Sequence, residues 1–232
     1  MKYRAYIIFH KHLYQSCYEG VSEESMKNLT FFSVNRDIEK SYDSSFDKQV
    51  IKEWEQPVYN PNLQKNNYCE TSVYFHLVAN AQTLVHPYDY IGCFQYDMKF
   101  RQETFDMIDR VLTEEYPGDR NIVFYYHKEP AYSMLGSSVV GPAGQECLSH
   151  EGYKEILDRY NKMFGTAHEY GDIVYEDIFQ YHAFLLHKEQ FYKVVHFIIS
   201  ITQHVANFLT PIAGAVHIPY TLKIVQIVCK HI

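Results

Sequence analysis

The stretch Tyr90-Ile-Gly-Cys-Phe-Gln-Tyr-Asp97 joins a short apolar run to a carboxylate. An apolar and aromatic run of this length predicts a buried central strand. Tyr3–Phe9 (YRAYIIF) predicts a buried first strand in the same way, and it ends at His10-Lys11. Because ligands of open α/β sheets bind at the carboxyl ends of the strands, both strand ends are candidate binding positions.

Strands and helices alternate along the rest of the chain. Further strands are predicted at Leu29–Val34, Asn121–Tyr126 and Tyr181–Leu186, and helices at Glu70–Val85, Phe105–Leu112, Gly152–Phe164, Phe191–Val205 and Tyr220–Lys230. This alternation predicts an α/β fold with a mostly parallel central sheet flanked by helices. No linker is long enough to predict a boundary, so residues 1–232 are predicted to form a single domain, which could also be one domain of a longer protein.

Composition and charge exclude several classes of protein. The 232 residues include 21 Lys+Arg against 28 Asp+Glu, giving a formal net charge of −7, and such a chain lacks the basic surface of a general nucleic-acid binder. Five scattered cysteines without a C-x-x-C pair predict reduced thiols in the cytoplasm and no structural zinc site. The sequence begins without a signal-peptide pattern and has no apolar run long enough for a transmembrane segment, although the apolar C-terminal tract leaves peripheral membrane contact open.

Common catalytic signatures are missing from the sequence. No G-x-G-x-x-G follows the first strand, which disfavours a dinucleotide-binding Rossmann domain. The P-loop pattern G-x-x-x-x-G-K-[ST] and the nucleophile elbow G-x-S-x-G are also absent. A P-loop NTPase and an ordinary α/β-hydrolase are therefore disfavoured.

Asp97 is the candidate metal ligand. A carboxylate at a strand end can hold a divalent cation that bridges a diphosphate, and the cation would neutralise the leaving nucleotide diphosphate as a glycosidic bond breaks. The alternative is that Asp97 only caps the following helix. At the first strand end, Lys11 could bind a phosphate and His10 could stack on a base, with a solvated loop as the alternative.

Candidates for a general base lie later in the chain. Glu169, Asp172, Glu176 and Asp177 form an acidic cluster, and a carboxylate there could deprotonate an acceptor hydroxyl. His182 is a second candidate because the unperturbed pKa of histidine is near neutral. The alternatives are a solvated acidic loop and a histidine satisfied within the core.

Four stretches carry a family resemblance: YIIFHK (6–11), YCETSVYFHLVAN (68–80), YDYIGCFQYDMKF (88–100) and HAFLLHKEQFYKVVHFI (182–198). They resemble a family of GT-A-type glycosyltransferases and glycosyltransferase-like proteins found in bacterial capsule and lipopolysaccharide gene clusters and in some large DNA viruses. The third stretch is similar to that family's D-Y-[IV]-G-x-x-x-Y-R-R-x-F segment.

The resemblance implies a single GT-A-like, Rossmann-like domain that takes part in polysaccharide biosynthesis. It would transfer a sugar from a nucleotide-diphosphate sugar to a hydroxyl of a glycan acceptor, assisted by Mn²⁺ or Mg²⁺. Gln95-Tyr96-Asp97 would be a degenerate D-x-D motif, in which Asp97 binds the metal. The positions that match the family's donor-binding elements are His10, Lys11, Glu70, Asn80, Gln95 and Tyr96.

The chain also departs from the family pattern. Asp97-Met98-Lys99 replaces the usual basic residues, which favours metal use or a change of function. The segment at 217–222 lacks the family's acidic residue, so Asp177, Asp172 and His182 stay open as bases. A catalytically silent glycosyltransferase-like binding module and a nucleotide-sugar hydrolase are the alternative functions.

Overall fold

The structure, a computed structural model, describes residues 1–65, 71–113, 122–123, 128–130, 150–169, 177–179 and 183–208. The chain divides into two compact units. The first comprises Met1–Phe124 and His182–Tyr192, and the second comprises Tyr125–Tyr181 and Lys193–Ile232. The helix predicted at Tyr220–Lys230 lies outside the described residues.

The first unit is built on a six-stranded sheet whose strands are β1 (Tyr3–Phe9), β2 (Leu29–Ser33), β3 (Val50–Lys52), β4 (Tyr90–Gln95), β5 (Ile122–Val123) and β8 (Phe184–His187). The strands β6 (Lys128–Pro130) and β7 (Asp177–Phe179) form a separate pair. The order within the six-stranded sheet is β3-β2-β1-β4-β8-β5. β1 to β4 pair in parallel, and β8 is antiparallel to both of its neighbours, so five of the six strands run in one direction. The predicted α/β fold with a mostly parallel sheet is confirmed.

Seven α-helices occur in the described part of the chain: α1 (Glu23–Met26), α2 (Pro61–Lys65), α3 (Thr71–Ala79), α4 (Ala81–Leu84), α5 (Gln102–Thr113), α6 (His150–Phe164) and α7 (Lys188–Phe208). Short 3₁₀ helices lie at Gln15–Tyr18, Ser44–Phe46 and Glu53–Glu55. None of the described helices is long and apolar enough to cross a membrane.

Helices cover both faces of the sheet. On one face the odd-numbered residues of β1 belong to a buried cluster with Phe105, Ile108 and Leu112 of α5. On the other face the Tyr74 ring of α3 lies 6.0 Å from the Phe184 ring and 6.4 Å from the Phe191 ring of α7. Burial on both faces explains why these strands read as continuous apolar runs.

Gly92 lies near the centre of β4, in a closely packed part of the sheet. A Cβ atom at this position would lie 2.7 Å from Cε2 of Phe94 and 3.1 Å from the carbonyl oxygen of Phe184. Side chains do not approach backbone this closely without a shift in the surrounding structure. Gly92 therefore allows β4 and β8 to pair beside the Phe94 ring.

In the second unit, β6 and β7 form an antiparallel pair, with Lys128 opposite Phe179 and Pro130 opposite Asp177. The buried Tyr160 of α6 packs against Phe197 of α7, their ring centroids 5.4 Å apart. The sequence prediction of helices at Gly152–Phe164 and Phe191–Val205 agrees with α6 and α7.

Candidate functional site

The strand order changes direction between β1 and β4. The chain proceeds outward from β1 to β2 and β3 on one side, then returns to place β4 on the other side of β1. Such a switch point leaves a crevice at the carboxyl ends of the two strands, where open α/β sheets bind ligands. Ile8 pairs with Gln95, so the chain segments that leave β1 and β4 emerge side by side.

Four aromatic side chains line these two strand ends, and we call them the aromatic ladder: His10, His12, Tyr14 and Tyr96. The His10 and Tyr96 rings meet edge-on with centroids 5.3 Å apart. Tyr14 stacks on Tyr96 at 6.2 Å, and His12 lies 5.9 Å from Tyr14. The ladder brings His10 and Tyr96 together, as expected from the positions of both residues at neighbouring strand ends.

Tyr14 and His12 are the members of the ladder that the sequence does not predict for the site. Tyr14 is 46% exposed, an unusual degree for a large aromatic side chain among the residues that the structure describes. An exposed ring stacked on a partner offers its outer face to a flat ligand. With 22 tyrosines in the chain, nothing in the sequence separates Tyr14 from tyrosines that serve packing.

Asp97 lies in the exposed turn that follows β4. Close to it, the N–H of Phe100 donates a 2.8 Å hydrogen bond to the carbonyl oxygen of Cys17. Burial raises the pKa of the Cys17 thiol, and the negative charge of Asp97 raises this pKa further, while Lys99 opposes the shift. The thiol therefore stays protonated near neutral pH, and the Asp97 carboxylate is the acidic group at this strand end.

A metal at Asp97 would need ligands besides the side chains that the structure describes. Among the described residues, no group of three or more His, Cys, Asp or Glu side chains is arranged to hold a metal ion. Mg²⁺ commonly binds through one or two carboxylates together with substrate phosphates. One exposed carboxylate at a strand end fits that mode of binding.

Lys11 is exposed next to the ladder, in a segment that the backbone holds in place. Its carbonyl oxygen accepts a 2.9 Å hydrogen bond from the N–H of Ser41, and His12 forms a parallel bridge with Ser41. The backbone that carries Lys11 is therefore fixed, and its ammonium group remains at the surface beside the switch point.

A buried carboxylate follows β3, and we call its surroundings the Glu53 network: Glu53, Asn35, Ser72 and His76. Glu53 is fully buried; its Oε1 accepts the Asn35 N–H at 2.7 Å, and its Oε2 accepts the Ser72 hydroxyl at 3.0 Å. His76 Nδ1 lies 3.4 Å from Oε2 without hydrogen-bond alignment. Asn35 has a φ of 62°, a left-handed conformation that asparagine tolerates better than most residues.

Lys40 closes the loop that starts at Asn35. Its Nζ donates to the carbonyl oxygens of Asn35 (2.6 Å) and Ile38 (2.5 Å), and it lies 5.4 Å from the Trp54 ring centroid. Burial lowers the pKa of Lys40, and the nearby carboxylates of Glu53 and Asp37 oppose the shift. The Lys40 ammonium group therefore stabilises the loop at the carboxyl end of β2, because its hydrogen bonds are donated to carbonyl oxygens of that loop.

Asn80 interrupts the helix predicted over Glu70–Val85 and separates α3 from α4. Its Oδ1 accepts the Val58 N–H at 2.9 Å, and its Nδ2 donates to the carbonyl oxygens of Val58 (2.9 Å) and His76 (2.8 Å). The side chain thus holds the segment around Val58 against the helix break. A direct contact between Asn80 and a donor substrate stays a prediction.

The other residues predicted for the site cannot be placed with it. Glu70, Asp172 and His182 lie outside the described residues. Asp177 begins β7 and pairs with Pro130 within the second unit. The structure thus brings together His10, Lys11, Gln95, Tyr96 and Asp97, which the sequence predicted from the strand-end rule.

Comparisons with known proteins show a likeness of fold. No protein-family model matches the chain, and no curated protein matches it. The fold is similar to that of a solved structure of WbbM, a bifunctional glycosyltransferase in its apo form, with a TM-score of 0.57 and 11% sequence identity. The match covers 99% of this chain and 43% of the WbbM chain. At this identity the likeness shows that the two share a fold.

Proposed function

We propose that this chain is a glycosyltransferase that binds a nucleotide-diphosphate sugar at the switch point between β1 and β4. The observation that carries the proposal is the convergence of the aromatic ladder, Lys11 and Asp97 at the carboxyl ends of these adjacent strands. The fold shared with a structure named as a bifunctional glycosyltransferase supports the same reaction class. Metal assistance, a glycan acceptor and a cytoplasmic location are parts of the proposal.

In the proposed reaction, the acceptor hydroxyl oxygen bonds to the anomeric carbon of the donor sugar. The bond between that carbon and the diphosphate breaks, the nucleotide diphosphate leaves with the bonding electrons, and a base receives the hydroxyl proton. Tyr14 and the rest of the ladder would stack on the nucleoside, and Lys11 would contact a phosphate. When bound at Asp97, Mn²⁺ or Mg²⁺ would neutralise charge on the leaving diphosphate.

The base stays a prediction among Asp172, Asp177 and His182. Whether the anomeric configuration of the sugar is inverted or retained depends on the base and on the geometry of attack. Each of the three can be replaced singly once a donor and an acceptor are known, and the essential base is the one whose loss lowers kcat without weakening donor binding.

Thermal unfolding in the presence of nucleotides and nucleotide sugars tests the proposal. A ligand that binds only the folded state raises Tm. At a ligand concentration a hundred times Kd, it increases the free energy of unfolding by about 2.7 kcal/mol. We expect one class of nucleotide diphosphate to raise Tm and Mn²⁺ to increase the shift. If a folded sample shows no shift with any nucleotide or nucleotide sugar, the proposed donor site is wrong. Product analysis then separates transfer from hydrolysis, because a hydrolase releases free sugar without an acceptor.

Replacing Tyr14 with alanine tests the ladder directly. Stacking of a base on an aromatic side chain contributes about 1–3 kcal/mol, so we expect Tyr14→Ala to weaken nucleotide binding by about tenfold to a hundredfold in calorimetry. Tyr14→Phe keeps the ring and should bind almost as tightly as the unaltered protein. Because about half of the Tyr14 side chain is exposed, neither change should lower Tm greatly. If the unaltered protein, Tyr14→Ala and Tyr14→Phe bind nucleotide with equal affinity, the ladder is not part of the binding site.

A further inference from the structure

A second site lies at the opposite edge of the sheet from the aromatic ladder. A cavity of about 630 Å³ opens where β1, β2 and β3 begin, and we call it the amino-edge cavity. This volume is within the range of pockets that bind small molecules, about 300–1,000 Å³. Its apolar lining includes Met26, Leu29, Phe46 and Ile51. The cavity is independent of the proposed donor site, which lies at the carboxyl ends of the strands.

The charge of the cavity is opposite to that of the whole chain. Arg4, Lys27 and Lys48 line it together with one carboxylate, Glu23, and Glu24 pairs with Lys27 at the rim, so the formal local balance is +1. The chain as a whole carries a formal net charge of −7. A concave surface lined by one sign of charge raises the local concentration of ions of the opposite sign. The amino-edge cavity is therefore suited to an anion.

Arg4 is the fixed cation of this site. Its Nη1 donates to the carbonyl oxygens of Lys27 (2.6 Å) and Leu29 (3.1 Å) and to the Thr30 hydroxyl (3.3 Å), and the guanidinium lies 4.8 Å from the Tyr88 ring centroid. All of these partners are neutral groups. Among the described residues, no carboxylate forms an ion pair with Arg4. The half-buried charge is thus held in place without an anionic partner in the part of the chain that the structure describes.

The two lysines supply mobile cations at the rim. Lys27 forms a 2.5 Å ion pair with Glu24, and both side chains are largely exposed. Exposed pairs of this kind contribute little to stability, so Lys27 can reorient toward a ligand at small cost. Lys48 is exposed and, within the described part of the chain, has no carboxylate within ion-pair distance.

We propose that the amino-edge cavity binds a phosphate monoester attached to an apolar body. A phosphate monoester carries a charge of about −1.5 to −2 at neutral pH, opposite in sign to the local charge of the cavity. Arg4 contributes a fixed positive charge, because its Nη1 donors are directed to the backbone oxygens of Lys27 and Leu29, and lysine binds phosphate as a point charge. The apolar lining contributed by Met26, Leu29, Phe46 and Ile51 receives the hydrocarbon part of the ligand.

Calorimetry with simple probes tests both halves of the ligand. We expect n-octyl phosphate to bind at least about tenfold more tightly than inorganic phosphate, and also far more tightly than 1-octanol. If n-octyl phosphate does not bind, or binds no better than inorganic phosphate or 1-octanol, the proposal is wrong. Flotation with vesicles that contain phosphatidic acid separates the sources: co-flotation that n-octyl phosphate reverses assigns a lipid headgroup, and binding of n-octyl phosphate without co-flotation assigns a soluble ligand.

A charge reversal places the probe in the cavity. Lys48→Glu should weaken n-octyl phosphate binding by about tenfold or more, because a charged hydrogen bond is replaced by repulsion. Lys193→Glu makes the same charge change at an exposed position that does not line the cavity, and it should bind like the unaltered protein. Both lysines are exposed, so both variants should fold. Equal affinities for Lys48→Glu and the unaltered protein, or equal losses in the two variants, would show that the probe binds elsewhere.

Discussion

Replacing Asp97 with alanine is expected to lower kcat/KM for sugar transfer by about 10²–10³-fold, the cost of removing one group that stabilises developing charge. Asp97 is the carboxylate in the exposed turn at the end of β4, beside Tyr96 of the ladder. Under the proposed function it holds the divalent cation that neutralises the leaving diphosphate. Steady-state rates with the donor found by thermal unfolding, across a range of Mn²⁺ concentrations, measure the effect.

The fold should be unaffected by this change, since an exposed turn carboxylate contributes little to stability. Asp158→Ala is a matched control, because Asp158 is an exposed aspartate on α6. It should leave both activity and Tm close to those of the unaltered protein. Full activity of Asp97→Ala with unchanged metal dependence would show that Asp97 is a turn residue and not a metal ligand.

Replacing Glu53 with alanine should cost about 3 kcal/mol or more of unfolding free energy. The change leaves the Asn35 N–H and the Ser72 hydroxyl without the carboxylate oxygens that they bond at 2.7 Å and 3.0 Å. Hydrogen bonds to charged groups contribute about 1.5–3 kcal/mol each, and the left-handed Asn35 backbone loses its anchor. Urea unfolding followed by circular dichroism measures the change.

Glu55→Ala is the control for this experiment, two residues along the same 3₁₀ helix. Glu55 is exposed and pairs with Lys52 at 2.8 Å on the surface, an interaction worth about 0–1 kcal/mol. Glu53→Ala should therefore be far less stable than Glu55→Ala. Comparable stabilities would mean that the Glu53 network contributes nothing beyond an ordinary surface carboxylate.

The strands of the sheet were predictable where they are long and buried on both faces. Tyr3–Phe9 and Tyr90–Gln95 coincide with apolar runs, because helices cover both faces of a parallel sheet. β3 escapes prediction because its three residues are half-buried and follow a polar stretch. The antiparallel direction of β8 was also not predicted, since an apolar run does not indicate how a strand runs relative to the strands beside it.

The candidate site was likewise predictable in part. His10, Tyr96 and Asp97 were predicted to share one edge because each follows a buried strand, and strand ends of a parallel sheet meet there. The Glu53 network could not be predicted, because Glu53 finds Asn35 and Ser72 at separations of 18 and 19 residues. Glutamate is rarely buried without a partner, so burial here follows from tertiary contacts that local patterns do not report.

The pairing of β1 with β4 has a consequence for how the protein folds. The N–H of Lys2 donates a 2.8 Å hydrogen bond to Asp89 across 87 residues of sequence. Closing so long a loop costs entropy before any contact repays it, and folding slows as the mean separation of contacts grows. His10 and Tyr96 can meet only after that closure. During synthesis the ladder therefore cannot assemble before β4 has emerged, and a nascent chain that ends before Tyr90 has no switch point at which to hold a nucleotide.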